Sequence, residues 1–358
     1  MPRLLVFASL VVALACTPVT RETGTTPVPA PRSGGTATPA ATAPAGLTAL
    51  PVPSTNTGPL PRVSEFAVGT GQGPHDVAPA ADGGVWYTAQ RTGELGHLDP
   101  KTGAWRVVKL GAGSAPHGVI VGPDGTPWIT DSGLNAIVRV DPKTNEITRF
   151  PLPGPNVNLN TAVFDRFGDL WFTGQSGYYG RVAVRGNGQV TVYNALGGPG
   201  PYGIASAPRG NGNIYYVSLA GSHVAVVDVK DGTAQRIDPP TKGQGARRIW
   251  EDSKGDLWIS EWNAGQVGRY TPSTKQWKEW KLPGTNPMAY AVYVDDADIV
   301  WITDWGANAI VRFDPATETF TSLPHSAPNA AVRQLLGRPG EVWGAASGQD
   351  KLLVIRTR

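Results

Sequence analysis

Residues 113–153 read GSAPHGVIVGPDGTPWITDSGLNAIVRVDPKTNEITRFPLP. This stretch holds four short apolar runs, GVIVG, TPWITD, AIVRVDP and EITRFPLP, separated by turn-forming residues such as Pro-Asp-Gly, Ser-Gly and Pro-Lys-Thr-Asn. Short apolar runs between Gly, Pro, Asp and Asn clusters predict β-strands. Four such strands in about 42 residues predict one blade of a β-propeller.

An aromatic residue in the second strand of this unit recurs along the chain with spacings of 42, 43, 44, 43, 43 and 42 residues. The seven positions are Trp86, Trp128, Trp171, Tyr215, Trp258, Trp301 and Trp343. Seven positions at one period predict seven blades. We therefore predict an all-β fold, a seven-bladed β-propeller of four-stranded blades that occupies residues 63–358.

The composition agrees with a single large β domain. The chain of 358 residues contains 45 Gly and 33 Pro, which suits many tight turns, and 16% charged with 40% hydrophobic residues suits stacked sheets. The formal net charge is +3, and the sequence contains no run of Lys or Arg. We therefore expect no nucleic-acid partner.

The N-terminal segment MPRLLVFASLVVALAC carries one Arg followed by an apolar run that is too short for a stable membrane span, so residues 1–16 are predicted to be a secretory signal. The chain's one cysteine, Cys16, follows Ala-Leu-Ala, an imperfect lipoprotein signal, so a lipid anchor there is expected; a plain signal peptide cleaved nearby is the alternative. Residues 17–62 are rich in Thr, Pro and Ala and are predicted to form a disordered tether. We expect an exported, periplasmic or cell-surface protein that meets the membrane only through that anchor.

The two ends of the repeat region are incomplete in complementary ways. The segment VSEFAV at residues 63–68 resembles a fourth strand, whereas the last unit ends with its third strand, LLVIRTR. We predict that the N-terminal strand completes the last blade and closes the ring, which leaves no free sheet edge.

Two segments of each blade should meet at one mouth of the central channel. The first lies eleven residues before the marker aromatic, except in blade four, where a two-residue insertion moves it to Tyr202, and the second follows the aromatic by three or four residues. Of the side chains predicted to line the mouth, His75 and His117 occupy matched Pro-His segments one repeat apart, and we expect them to be functional. The other predicted mouth side chains include Asn160, Tyr202, Arg247, Tyr290, a position near Val332, Asp131, Glu261, Trp262, Asp304 and Trp305.

The Pro-His segments GPHDV and APHGV, together with the strands WITDS, WISEWNAGQVGRY and WITDWGANAIVRF, resemble the virginiamycin B lyase family of propellers over residues 63–358. The resemblance implies ring opening of a cyclic depsipeptide by elimination, with His117 as general base, His75 as its partner and Mg²⁺ near the substrate ester. It matches Asp131 to an acidic residue of the family. The family has a Glu two residues before the base, where this chain has Ala115.

If a divalent metal binds, the nearest carboxylate candidates are Asp131, Glu261 and Asp304. Magnesium typically keeps several waters and takes few protein carboxylates. The substrate-binding candidates are Asn160, Tyr202, Arg247, Tyr290, Trp262 and Trp305. We expect the protein to be a monomer with a small-molecule or peptide-lactone ligand.

Three functions remain open at this point. The first is a carbon–oxygen lyase that acts on a peptide lactone or related ester, with a role in antibiotic resistance. The second is a non-catalytic exported propeller that binds a glycan, peptide or lactone at its mouth. The third is a lactone hydrolase of the gluconolactonase kind. The sequence contains no GxSxG, Walker, HExxH or cysteine–histidine motif.

Overall fold

The computed structural model describes residues 61–357. The predicted signal, Cys16 and all but the last residues of the predicted tether lie outside this range. Within it, 28 strands form seven antiparallel four-stranded sheets. Among these residues no helix is long and apolar enough to cross a membrane.

The sheets follow one another along the chain, and each begins with its innermost strand. Blades one to three comprise β2 (Pro74–Pro79), β3 (Val85–Ala89), β4 (Glu94–Leu98) and β5 (Trp105–Lys109); β6 (Pro116–Val121), β7 (Pro127–Asp131), β8 (Ala136–Val140) and β9 (Ile147–Pro151); β10 (Leu159–Phe164), β11 (Leu170–Gly174), β12 (Tyr178–Val182) and β13 (Val190–Asn194). Blades four and five comprise β14 (Pro201–Ser206), β15 (Ile214–Ser218), β16 (His223–Val227) and β17 (Ala234–Ile237); β18 (Ala246–Glu251), β19 (Leu257–Glu261), β20 (Gln266–Thr271) and β21 (Gln276–Lys281). Blade six comprises β22 (Ala289–Val294), β23 (Val300–Asp304), β24 (Ala309–Asp314) and β25 (Thr319–Pro324), and blade seven comprises β26 (Val332–Arg338), β27 (Glu341–Ala346), β28 (Lys351–Arg356) and β1 (Arg62–Ala67).

The ring closes as the sequence predicts. Strand β1 pairs with β28 in an antiparallel register that runs from Arg62 opposite Arg356 to Ala67 opposite Lys351. The Lys351 ammonium also lies 2.7 Å from the Glu65 carboxylate. Because one chain end supplies the fourth strand of the last blade, the seven-bladed β-propeller has no unfinished sheet.

All seven marker aromatics are buried, five of them as the largest fully buried side chains, and they pack between neighbouring blades. Three of their indole N–H groups donate to carboxylates in the turns on the face opposite the mouth: Trp171 to Asp165, Trp258 to Asp252 and Trp301 to Asp295, at 2.8, 2.9 and 2.8 Å. A buried N–H without an acceptor would cost about 1–3 kcal/mol. The marker residues therefore repeat because packing and hydrogen bonding both fix them.

The innermost strand of every blade contains a β-bulge close to its start. Pairing with the second strand shifts register just after the first residue in all seven blades, for example between Pro74 and Val77 and between Pro116 and Gly118. A bulge leaves an extra residue out of the ladder and re-aims side chains. Two consecutive residues per blade can therefore face the central channel at this level.

We expect deletion of residues 61–67 to destabilise the whole propeller, because it removes every hydrogen bond between β1 and β28 and exposes a sheet edge. The melting temperature should fall sharply, as measured by circular dichroism or calorimetry. Glu65→Gln, which keeps the strand and removes a half-exposed ion pair, serves as the control and should cost no more than about 1 kcal/mol. A deletion variant that melts like the wild type would contradict closure by β1.

Candidate functional site

The first bulge position of each blade contributes one side chain to a ring at the channel mouth. These side chains belong to His75, His117, Asn160, Tyr202, Arg247, Tyr290 and Arg333. The spacing predicts the first six. It is wrong for the seventh, which is Arg333 and not Val332, because the hairpin between β26 and β27 is one residue shorter: Trp343 pairs with Leu336, seven residues away, whereas Trp128 pairs with Ile120.

The second bulge position adds a ring immediately below the first. Its residues are Asp76, Gly118, Thr161, Gly203, Arg248, Ala291 and Gln334. Two of them meet across the channel, because the Arg248 guanidinium lies 3.1 Å from the Asp76 carboxylate and both side chains are buried. Sequence reasoning missed this pair, since it assigned one channel residue to each inner strand. One sequence signal could have revealed it: each of the buried inner strands PHDVAP and ARRIWE contains a charged residue, Asp76 in the first and Arg248 in the second.

Hydroxyl groups of the second strands hold these bulges in place. Thr88 Oγ1 accepts the N–H of Asp76 in its own blade, at 3.0 Å, and donates to the carbonyl of His117 in the next blade, at 2.8 Å. Thr130 makes the same pair of contacts with Gly118 and Asn160. The hydroxyl residue of the W-[IF]-[TS] motif therefore links neighbouring blades directly at the mouth.

His75 and His117 are in direct contact. Their ring centroids are 3.8 Å apart, and the residues are 2% and 6% exposed. His75 Nδ1 lies 2.8 Å from Asp76 Oδ1, so it carries a hydrogen that it donates to this carboxylate. The lone pair of neutral His75 is then on Nε2.

A chain of hydrogen bonds fixes the tautomer of His117. Arg248 donates to Thr161 Oγ1, and Thr161 in turn donates to Asn160 Oδ1 at 2.7 Å. The Asn160 oxygen is thereby occupied, and its Nδ2 faces His117 Nε2 at 3.3 Å. Because an amide nitrogen only donates, Nε2 of His117 carries the lone pair.

Both imidazoles are neutral at pH 7. Burial lowers the pKa of His75 well below its ordinary value, and the positive charges of Arg333, Arg248 and Arg247 lower it further. Burial also lowers the pKa of His117, and neighbouring His75 adds to the effect while Asp76 opposes it. Neutral histidines can accept a proton, as a general base must.

The other half of the mouth is a cluster of aromatic and arginine side chains. The hydroxyls of Tyr202 and Tyr290 are 2.7 Å apart, and Arg247 donates to Tyr202 at 2.9 Å. The Arg247 guanidinium lies 3.7 Å from the ring centroid of Tyr290 and 4.7 Å from that of Trp262. Trp305 stacks on Tyr290 with centroids 4.5 Å apart. The structure thus brings together all six predicted substrate-binding residues and the two histidines.

The three carboxylates predicted as metal candidates are not brought together. Asp131 Oδ1 accepts the backbone N–H groups of Ala115, Gly133 and Leu134, and its Oδ2 accepts the Ser114 hydroxyl. Asp304 Oδ1 likewise accepts three backbone N–H groups of its own loops. Asp131 and Asp304 therefore each cap the loops around their own strand end, and of their oxygens Asp304 Oδ2 alone has no hydrogen-bond partner among the described residues.

Glu261 is a buried carboxyl group with a strongly shifted pKa. Burial raises the pKa of Glu261 to about 8, and the hydrogen bond from Gln266 only partly opposes this. Its Oε1 has no hydrogen-bond partner among the residues described. At pH 7 the group is therefore mostly protonated, which makes it a poor ligand for a cation.

Within residues 61–357, one group of three ligand-type side chains has donor atoms within 4.8 Å of one another: His75, Asp76 and His117. This set offers two nitrogens and one carboxylate, whereas Mg²⁺ prefers oxygen ligands. The carboxylate is already paired with Arg248, and Arg247 and Arg333 add further positive charge nearby. The mouth does not fit a resident Mg²⁺ ion.

We expect Glu261→Gln to flatten the pH dependence of stability. The folded pKa of about 8 lies above the ordinary value of 4.5, so the unfolded state binds fewer protons between these values and wild-type stability falls as pH rises through this window. Denaturant titrations at pH 5 and pH 8 should show a wild-type loss of up to a few kcal/mol that the variant lacks. Exposed Glu146→Gln is the control, and identical profiles for Glu261→Gln and wild type would show that Glu261 is ionised.

Solved structures with the same fold include two lyases. Virginiamycin B lyase from Staphylococcus aureus is 21% identical, with a TM-score of 0.76, and the match covers 83% of this chain and 99% of that one. A streptogramin B lyase structure is 23% identical, with a TM-score of 0.74, over 82% and 98% of the two chains. The extracellular domain of a hybrid two-component system from B. thetaiotaomicron is 15% identical, with a TM-score of 0.67, over 83% and 43%. At these identities the likeness concerns the fold.

No curated protein sequence matches this chain. The sequence model of the virginiamycin B lyase family, in contrast, matches residues 62–352, which is nearly the whole propeller and includes both Pro-His segments. The repeat, the closed seven-bladed ring and this match agree, and the chain therefore belongs to the virginiamycin B lyase family.

Proposed function

We propose that the channel mouth catalyses elimination at a C–O bond of a lactone or related ester, with His117 as the general base and His75 as its partner. The observation that carries this proposal is the neutral His117 imidazole, whose lone pair on Nε2 is set by the Arg248–Thr161–Asn160 chain. A neutral imidazole with a fixed tautomer can accept a proton at neutral pH, and the lowered pKa of His117 makes it a weaker base than a free histidine.

The elimination balances without added water. Once the substrate C–H replaces the Asn160 N–H at the lone pair of His117 Nε2, this nitrogen takes a proton from the carbon next to the one that bears the ester oxygen, and the C–H electron pair becomes the new C=C bond. The C–O bond breaks, and its electron pair leaves with the carboxylate. Tyr202, Tyr290 and Arg247 supply O–H and N–H donors to the negative charge that develops.

Access to His117 requires side chains at the mouth to move, since the residue is only 6% exposed. The half-buried members of the mouth are Arg247, Trp262, Trp305 and Arg333. Arg247 rests on aromatic rings and donates one hydrogen bond to a side chain, to Tyr202. We therefore infer that Arg247 can shift on the rings when a ligand binds and so open access to the histidines.

We also propose export of the protein, on the basis of the apolar N-terminal run that ends at Cys16. Whether Cys16 carries a lipid stays a prediction. A propeller that acts on an extracellular lactone would then meet its substrate before the substrate enters the cell.

The reaction is tested by incubating the full chain with a streptogramin B lactone and measuring the product by mass spectrometry. We expect a linear product that is isomeric with the substrate, because elimination adds no water. His117→Ala should slow its formation by about 10²–10⁴-fold, the usual contribution of a general base.

His97→Arg is the matched control, because blades two, three, five and six carry arginine at this third-strand position, where His97 packs on Trp86 away from the mouth. It should leave the rate unchanged. A product heavier by one water would support the lactone hydrolase, and bound but unchanged lactone would support the non-catalytic binding propeller; either result would overturn the lyase.

Magnesium stays a prediction of the family resemblance, and the charges at the mouth argue against it. We therefore expect Mg²⁺ and EDTA to leave both the melting temperature and the elimination rate unchanged. An ion that binds the folded state must raise the melting temperature by mass action. A rise that Asp131→Asn or Asp304→Asn abolishes would show that these carboxylates bind the ion after all.

A further inference from the structure

The mouth contains two arginine side chains that no carboxylate of the described chain pairs with. Arg248 pairs with Asp76, but Arg247 and Arg333 have no ion-pair partner within residues 61–357. Glu261 is mostly protonated at pH 7, as its pKa of about 8 requires. Two guanidinium groups thus lie near two neutral histidines without an ion-pair partner among the described residues.

The donors of these two guanidiniums are also incompletely used. Arg247 donates from one terminal nitrogen to Tyr202, and its Nε is buried without a partner. Arg333 donates from Nε to the Ser347 hydroxyl at 2.8 Å, and its contact with the Tyr290 hydroxyl is long, at 3.5 Å. Each guanidinium has five N–H donors, and a buried donor without an acceptor is costly. Both guanidiniums therefore have donors left over that could bind an acceptor on a ligand.

Both arginines converge on Tyr290 and are held there by aromatic rings. Arg247 lies over Tyr290 and near Trp262, while Arg333 lies 5.2 Å from the ring centroid of Trp305, which stacks on Tyr290. Burial acts to raise the pKa of Tyr290, but Arg247, Arg248, the Tyr202 hydrogen bond and Arg333 together lower it. An anion placed here would therefore meet a positive potential.

We propose that the ligand of this mouth carries a carboxylate that Arg247 and Arg333 bind, and that this carboxylate is attached to the carbon from which His117 takes the proton. The substrate class is then an O-acylated β-hydroxy acid, in which the ester oxygen sits on the next carbon. This inference rests on the proposed elimination and specifies its substrate. A carboxylate suits a guanidinium because its two oxygens match two parallel N–H donors.

The two arginines would also assist the reaction. Loss of the proton next to a carboxylate transfers charge onto its oxygens, and fixed guanidinium donors stabilise that charge as it develops. The C–H electron pair forms the C=C bond, the C–O bond breaks, and the acyl group departs as its carboxylate with the electron pair. No metal, oxidant or water enters this balance.

The test compares two small substrates that differ only in charge, N,O-diacetylserine and its methylamide. The full chain should release acetate from the free acid with a kcat/KM at least about tenfold higher than from the amide. Arg247→Gln and Arg333→Gln should each lower this acid-to-amide ratio towards one, because each variant slows the acid more than it slows the amide. Arg356→Gln, which removes an exposed charge on the opposite face, should keep the ratio.

Binding is measured separately with N-acetylalanine, which has the carboxylate and no leaving group, against its methylamide, by calorimetry. Preferential binding of the acid that both arginine variants lose supports the carboxylate site even if no elimination occurs, in which case the proposed reaction alone fails. Elimination from acid and amide at equal rates overturns the carboxylate site and keeps the reaction. Equal binding of acid and amide also overturns it.

Discussion

The β-bulge at the start of each innermost strand is the constraint on which the site depends. In a regular strand, neighbouring side chains point to opposite faces, so one residue per blade would reach the channel. The bulge re-aims a second one, and the channel acquires two stacked rings, one with His75 and His117 and one with Asp76 and Arg248. Hydroxyl groups of the second strands hold the bulges, so the repeat that builds the fold also builds the site.

Arg248 connects the two histidines although it touches neither. One terminal nitrogen pairs with Asp76, which orients His75, and the other donates to Thr161, which orients Asn160 and through it His117. Arg248 stays protonated: burial acts to lower its pKa, but the charge of Asp76 raises it. A single side chain from blade five thus fixes two tautomers on blades one and two, which explains why a buried ion pair persists in the channel.

The fold and most of the first ring could be predicted from the sequence. The marker aromatics recur every 42 to 44 residues, and this spacing locates each blade even where the exact ends of its strands are unknown. The second ring could not, since a bulge inserts a residue without changing the strand's apolar pattern. The hairpin between β26 and β27 is one residue shorter than its counterpart in blade two, so the spacing predicted Val332 as the channel residue instead of Arg333. The sequence therefore did not reveal the arginine at this position. The acidic residues at the second strand ends were harder still: Asp131 and Asp304 look like ligands in the sequence, and only their contacts show that backbone N–H groups occupy them.

The register of β1 against β28 shows on which face of the propeller the described chain begins and ends, relative to the face that carries the histidines. Arg62 pairs with Arg356 at the end of the blade remote from the mouth, and the strand reaches the mouth level only at Ala67, opposite Lys351. The first strand of the described chain therefore begins on the face remote from the mouth, next to the point where the last strand ends. The mouth that carries His75 and His117 therefore lies on the face opposite both of these ends of the described chain.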